Sequence, residues 1–203
     1  MIKNIVFDMG QVLTGFDPDE IIGHFTSSKE DTALLRRAIF DTKEWSELDR
    51  GTLVEEEMIA PACAMLPERL HGTAAEILRR WREHMTPMND LVPLAEELHK
   101  AGYPLYLLSN AGKSMLGFTE KLPARRLFSG ILFSAEVLMI KPEPGIYREF
   151  FHRFSLKPQE CFFIDDRPEN IAAGGAFGMN GFCYGGEVPP LRAALKKAGV
   201  KID

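Results

Sequence analysis

The pattern that most restricts this chain is a series of short apolar runs: Ile5-Val6-Phe7, Leu105-Tyr106-Leu107-Leu108, Ile131-Leu132-Phe133, Cys161-Phe162-Phe163-Ile164 and the weaker Phe182-Cys183-Tyr184. Runs of this length without polar alternation read as strands buried on both faces. Helical patterns over 90–101, 144–154 and 168–177 precede the runs at Leu105, Cys161 and Phe182. That is the strand-helix-strand rhythm of a parallel sheet. Gly102, Gly178 and Gly199 stand where left-handed helix caps belong, and Pro168 and Pro189 suit first-turn positions.

The interval between the first two runs, 15–88, shows helix starts instead of strands. Asp17-Pro18-Asp19-Glu20, Thr52-Leu53-Val54-Glu55 and Thr73-Ala74-Ala75-Glu76 each place a capping residue three positions before Glu. The expected organisation is an α/β core of 1–14 and 89–203, with an inserted helical cap of 15–88 hinged near Gly15 and Pro87. A length of 203 residues accommodates one main core with such an insertion.

Lys and Arg number 24 against 29 Asp and Glu, a formal charge of −5. This argues against broad nucleic-acid binding and requires a local positive site for any anionic substrate. Cys63, Cys161 and Cys183 are odd in number and far apart, so they read as reduced, buried thiols rather than a disulfide framework or zinc site. The first apolar run reaches Asp8 too soon for a signal peptide, and no run approaches membrane-spanning length, so a cytoplasmic location and no membrane partner are expected. A monomer or homodimer is anticipated.

Four elements carry chemistry. Asp8 ends the first strand, and in isolation it reads as a turn or capping residue. Ser109-Asn110-Ala111-Gly112 follows the second, with a hydroxyl, an amide and backbone N–H groups suited to phosphate oxygens. Lys141 lies between Ile140 and Pro142, just before a proline-opened helix, and alone is an ordinary lysine. Asp165-Asp166 end a buried strand, and two adjacent carboxylates are costly without a cation. As a pair they could equally be an N-cap and a partner for Arg167.

Together, in this order, these residues resemble the motifs of the haloacid dehalogenase superfamily, the Asp-nucleophile hydrolases, over essentially the whole chain. Asp8 matches the first-motif nucleophile, Ser109 the second, Lys141 the third and Asp165-Asp166 the fourth. The helical insertion is similar to the C1 cap of subfamily IA. Phe7-Asp8-Met9-Gly10-Gln11-Val12-Leu13 and Lys141-Pro142-Glu143-Pro144 are similar to bacterial sugar phosphatases of the alpha-D-glucose-1-phosphate phosphatase type. The resemblance implies a three-layer, Rossmann-like parallel sheet in the order 5-4-1-2-3, with Asp8 and Asp165-Asp166 meeting at the switch point.

It further implies magnesium-dependent hydrolysis of a small phosphorylated metabolite, a sugar phosphate by preference, through an aspartyl-phosphate on Asp8. Asp8, the Gly10 carbonyl, Asp165 and Asp166 would hold the metal. Lys141 would act in catalysis and bind substrate together with Ser109 and Asn110. Most phosphatases of the superfamily carry Asp two residues after the nucleophile as the general acid, and here Gly10 stands there. Asp17 is the nearest replacement, although its setting is also that of a helix N-cap, which is the reading adopted. Trp45-Ser46-Glu47-Leu48-Asp49-Arg50-Gly51, expected just before a helix, offers a ring, acids and a cation to a substrate, with Arg50 the expected contact, while core packing by Trp45 and surface pairing by Arg50 are the simpler readings of each residue taken alone. The competing expectations are a carbon-attacking, dehalogenase-like hydrolase and a phospholigand-binding protein weakened by the loss of the acid.

Overall fold

The computed structural model describes residues 1–122 and 124–202. β1 (Asn4–Phe7) is followed by β2 (Thr14–Gly15), then by α1 (Pro18–Gly23), α2 (Lys29–Ile39), α3 (Lys43–Arg50), α4 (Glu55–Ala64) and α5 (His71–Arg80). β3 (Thr86–Pro87), α6 (Val92–Lys100), β4 (Leu105–Ser109), β5 (Phe128–Phe133), α7 (Ser134–Val137) and α8 (Pro144–Arg153) come next. β6 (Cys161–Asp165), α9 (Pro168–Gly175), β7 (Asn180–Cys183) and α10 (Val188–Lys197) complete the chain.

The main sheet runs β5-β4-β1-β6-β7, all parallel. Counted among core strands alone, this is the expected order 5-4-1-2-3. The apolar runs do form its strands, though β5 begins at Phe128, three residues before the run at Ile131. Side chains alternate across the pleat: Ile5 and Phe7 enter the larger hydrophobic cluster, Val6 the smaller. The larger cluster continues through Ile21, Leu35, Leu48 and Ile77 of the helical segment. The smaller joins the sheet to Ile146, Tyr147 and Phe150 of α8. Helices therefore cover both faces, as a parallel sheet requires.

Gly102, Gly178 and Gly199 all take the left-handed conformation expected of them. The two expected hinge positions are paired with each other: β2 and β3 form a short antiparallel ribbon with Thr14 opposite Pro87 and Gly15 opposite Thr86. Asp17 caps α1, its Oδ1 accepting from the Asp19 N–H at 2.8 Å.

The other two helix starts differ from expectation. The Thr52 hydroxyl donates to the Glu47 carboxylate at 2.5 Å instead of capping a helix. α4 begins after Val54, whose N–H donates to the Glu57 carboxylate at 3.0 Å. Thr73 lies inside α5, which a 3-10 turn at Glu68–Leu70 feeds from further upstream. The stretch from Trp45 to Arg50 does not precede a helix but forms most of α3, started by the Thr42 hydroxyl accepting from the Trp45 N–H. Among the cysteines, all free, only Cys161 is buried, whereas Cys183 is exposed. No helix among the described residues is long and apolar enough to cross a membrane.

Candidate active site

The carboxyl ends of β1, β4 and β6 open into a cavity of about 700 Å³ lined by Asp8, Gly10, Ser109, Asn110, Lys141 and Asp166. The sheet register explains the convergence. Phe7 lies opposite both Leu107 and Ile164, and the Asp8 N–H donates to the Ile164 carbonyl at 2.8 Å. The next residues along the two strands, Asp8 and Asp165, are thereby brought side by side.

Lys141 arrives from the loop before α8 and fills the space between them. It is 3% exposed, with Nζ 2.8 Å from Asp8 Oδ1 and 2.6 Å from Asp165 Oδ2. Burial alone would push its ammonium pKa down, but the two carboxylates outweigh that and hold it above the ordinary lysine value. The Asp8 carboxyl is pushed up to about 6, first by burial and then by Asp165, with Lys141 opposing. Burial, reinforced by Asp165, also raises Asp166.

Asp165 is fully buried and saturated with donors. Its Oδ1 accepts from the Arg167 N–H at 2.8 Å and from Asn170 Nδ2 at 2.9 Å, and its Oδ2 takes Lys141 and a second, 3.1 Å approach from Asn170. Asn170, in the first turn of α9, is thus a positioning residue, and sequence reading gave it no role. The one available signal was its place five residues after Asp165, which a helix start at Pro168 turns back toward the strand end.

Asn110 differs from expectation in a similar way. Its Oδ1 accepts from the Lys141 N–H at 2.7 Å and its Nδ2 donates to the Lys141 carbonyl at 2.9 Å. The amide expected to contact substrate is spent on fixing the backbone that presents the lysine. Among the described residues Ser109, 1% exposed, makes only a 3.5 Å contact with the Asn110 carbonyl, which leaves its hydroxyl for a ligand.

Arg50 is not brought to the cavity. Its guanidinium forks onto Glu143, with Nη1 and Nη2 at 2.9 and 2.7 Å from the two carboxylate oxygens, and Glu47 takes Nε at 3.4 Å. A bidentate pair of this kind satisfies the donors that a substrate phosphate would need. The expected substrate contact is therefore corrected to a tie between α3 and the loop that follows Lys141.

The opposite wall comes from the helical segment. Phe16, Phe40, Trp45, Trp81 and Met85 line it, with Trp45 packed against Phe40, Phe16 and Trp81 at centroid distances of 4.5 to 5.7 Å. Asp49, in the last turn of α3, also lines the cavity. Desolvation pushes its carboxyl up to about 8, and the charge on Asp8 adds to the effect. From sequence this Asp stood only as one of the acids in the stretch from Trp45 to Gly51, without a role of its own, and the full aromatic wall was not read, because helical spacing does not tell a core face from a cavity face.

Carboxylate oxygens of Asp8, Asp165 and Asp166 lie within 4.8 Å of one another. Three carboxylates gather with a single lysine, which contacts two of them, and the donors are all oxygen, which is the chemistry of a hard divalent cation rather than zinc or copper.

A D-ribitol-5-phosphate phosphatase of Bacteroides thetaiotaomicron is 28% identical over 193 residues, spanning 90% of this chain and 91% of its own. A sesquiterpene phosphatase of Aspergillus oryzae is 26% identical over 183 residues, 88% of each chain. Among solved structures, an HAD-family enzyme of B. thetaiotaomicron in complex with magnesium and inorganic phosphate superposes with a TM-score of 0.68 at 22% identity, covering 93% of this chain and 97% of its own. The family model for haloacid dehalogenase-like hydrolases matches residues 2–178, and the chain belongs to that family.

Proposed function

We propose that this hydrolase is a magnesium-dependent phosphomonoesterase acting on a small phosphorylated metabolite, with Asp8 as the nucleophile. The observation that carries the reading is the strand-end cluster: one buried lysine held by Asp8 and Asp165, with Asp166 beside them, opening on a cavity of metabolite size. The Asp8 carboxylate attacks phosphorus, the bond to the leaving oxygen breaks, and water later cleaves the aspartyl-phosphate. Lys141 orients Asp8 and offers positive charge to the phosphoryl oxygens. The Ser109 hydroxyl donates to charge building there. Asp8, Asp166 and the Gly10 carbonyl would hold magnesium; Asp165, also expected as a ligand, has both oxygens already accepting from Lys141, Asn170 and the Arg167 N–H and would fix the lysine behind them instead. When bound, the cation offsets the repulsion between carboxylates and a phosphate dianion.

The helical segment 15–88 serves as the cap over the core formed by 1–14 and 89–203. Its aromatic wall supports a substrate with a ring or carbon chain that stacks, and a sugar phosphate satisfies both the polar floor and this wall. The relatives that act on ribitol phosphate and on sesquiterpenes bracket that choice.

The test is phosphate release from a panel of sugar phosphates, nucleotides and phospho-acids, with and without magnesium, beside Asp8→Asn. Release that needs the metal and vanishes in the variant is expected. Full turnover by Asp8→Asn, or complete indifference to magnesium, would overturn the proposal. Halide release from haloacids without metal would replace it with the carbon-attacking reading.

A further inference from the structure

The reaction proposed above needs a proton for the leaving oxygen, and the core wall does not supply one. Gly10 has no side chain, and nothing lies within 4 Å of where its Cβ would stand. Lys141 is held between two carboxylates. Asp17 and Asp41 also line the cavity, but Asp17 is turned to cap α1 through its Oδ1, and Asp41 is exposed beside Arg36. We infer that Asp49, carried over the cavity by α3, protonates the leaving oxygen and later receives the proton of the attacking water. The inference rests on the phosphomonoesterase reading of the same site.

Geometry supports it first. α3 ends against the core with almost no clearance. Gly51 adopts φ +86°, and a Cβ there would stand 2.7 Å from that of Ala135. A Cβ on Gly112, in the loop after β4, would stand 2.8 Å from the Leu48 carbonyl oxygen. Only glycine permits both approaches. Between them, the fully buried Ser134 hydroxyl accepts from the Ala111 N–H at 2.8 Å and donates to the Asp49 carbonyl. The Arg50–Glu143 fork closes the other side. Asp49 is therefore placed from the core itself, by the loops that also carry Ser109 and Lys141, as an acid working at a fixed distance requires.

The state of the side chain supports it next. Among the described residues the Asp49 carboxyl has no hydrogen-bond or ion-pair partner. The charged groups around it are Asp8, Lys141 and Arg167, with Asp8 opposing ionisation and the two cations favouring it less strongly than desolvation opposes it. With a value near 8 the group holds its proton at neutral pH. The steps balance: the Asp8–phosphorus bond forms as the phosphorus–oxygen bond breaks, the Asp49 proton makes the leaving oxygen a neutral alcohol, and the resulting carboxylate takes a proton from water as it attacks the aspartyl-phosphate. Both carboxyl groups return to their starting states.

Asp49→Asn keeps the shape and removes the transferable proton. It is to be assayed with magnesium on aryl phosphates graded from 2,4-dinitrophenyl to phenyl, and on a sugar phosphate. We expect kcat/KM to fall by about 10²–10⁴ on phenyl and sugar phosphates, but only a few-fold on the dinitrophenyl ester, whose leaving group needs no proton. The dinitrophenyl arm also shows that the variant is folded. An equal loss across the series, or none, would overturn the inference and leave the hydrolytic reading standing. Wild-type protein inert on the entire series would overturn that reading, and the role of Asp49 with it.

Discussion

The two walls of the cavity treat charge in opposite ways. On the sheet side, Lys141 sits between Asp8 and Asp165 within 2.8 Å of each, and Asp165 accepts from the Arg167 N–H and Asn170 as well. On the helical side, Asp49 has no ion pair among the described residues, and the wall that carries it is otherwise lined by the rings of Phe16, Phe40, Trp45 and Trp81. In the proposed reaction the first arrangement aims the nucleophile, with Lys141 opposing the burial that raises its carboxyl, and the second keeps an acid neutral. Two carboxyl groups in one cavity are pushed toward different tasks by what surrounds them.

The largest effect follows from removing the cation of the sheet side. Lys141→Ala leaves Asp8 and Asp165 buried against each other, and should cost about 3–5 kcal/mol in denaturant unfolding. Phosphate release should drop by about 10²–10³ or more. A wild-type unfolding midpoint would mean that the sheet-side charges are not locked as described.

A second measurement contrasts the two carboxyl groups through pH. Between 3.8 and about 8 the folded protein keeps a proton on Asp49 that the unfolded chain has released. Stability of the metal-free protein therefore falls as pH rises through that window, by at most about 1.4 kcal/mol per pH unit. Solvent reaching this half-buried residue brings the slope below that ceiling. Subtracting the profile of Asp49→Asn isolates the contribution. Parallel profiles would show Asp49 ionised like an ordinary surface acid, and the contrast between the walls would disappear.

The smallest effect concerns the tie between the walls. Arg50→Ala breaks a partly exposed bidentate pair and should lower stability by no more than about 1 kcal/mol, with KM for any substrate changed less than about twofold. A tenfold rise in KM would return Arg50 to the cavity and redraw the boundary between substrate contact and structural tie.

Sequence and structure divide along the same line. The apolar runs determined the strands, since only a doubly covered sheet buries Ile5-Val6-Phe7 and Cys161-Phe162-Phe163-Ile164 on both faces. Asp8, Ser109 and Asp165 then had to share one rim, because parallel strands all end on the same side. Lys141 was readable through its ordered place among them. What local pattern could not show was which side chains were already engaged. Asn110 and Lys141 are separated by 30 intervening positions, yet exchange two hydrogen bonds. Arg50 finds Glu143 across an even longer gap. Thr52 prefers the Glu47 carboxylate to the helix start its spacing advertised.

The sequence by itself determined the sheet, the polar rim and the helical nature of the insertion, because those follow from periodicity and from the cost of burying backbone and charge. Tertiary structure alone decided that Asp49, one acid among several in an unremarkable helix, stands desolvated over Asp8 while its neighbour Arg50 turns to Glu143. Desolvation and pairing depend on what lies opposite a residue in space, and the facing groups here lie far from α3 in the chain.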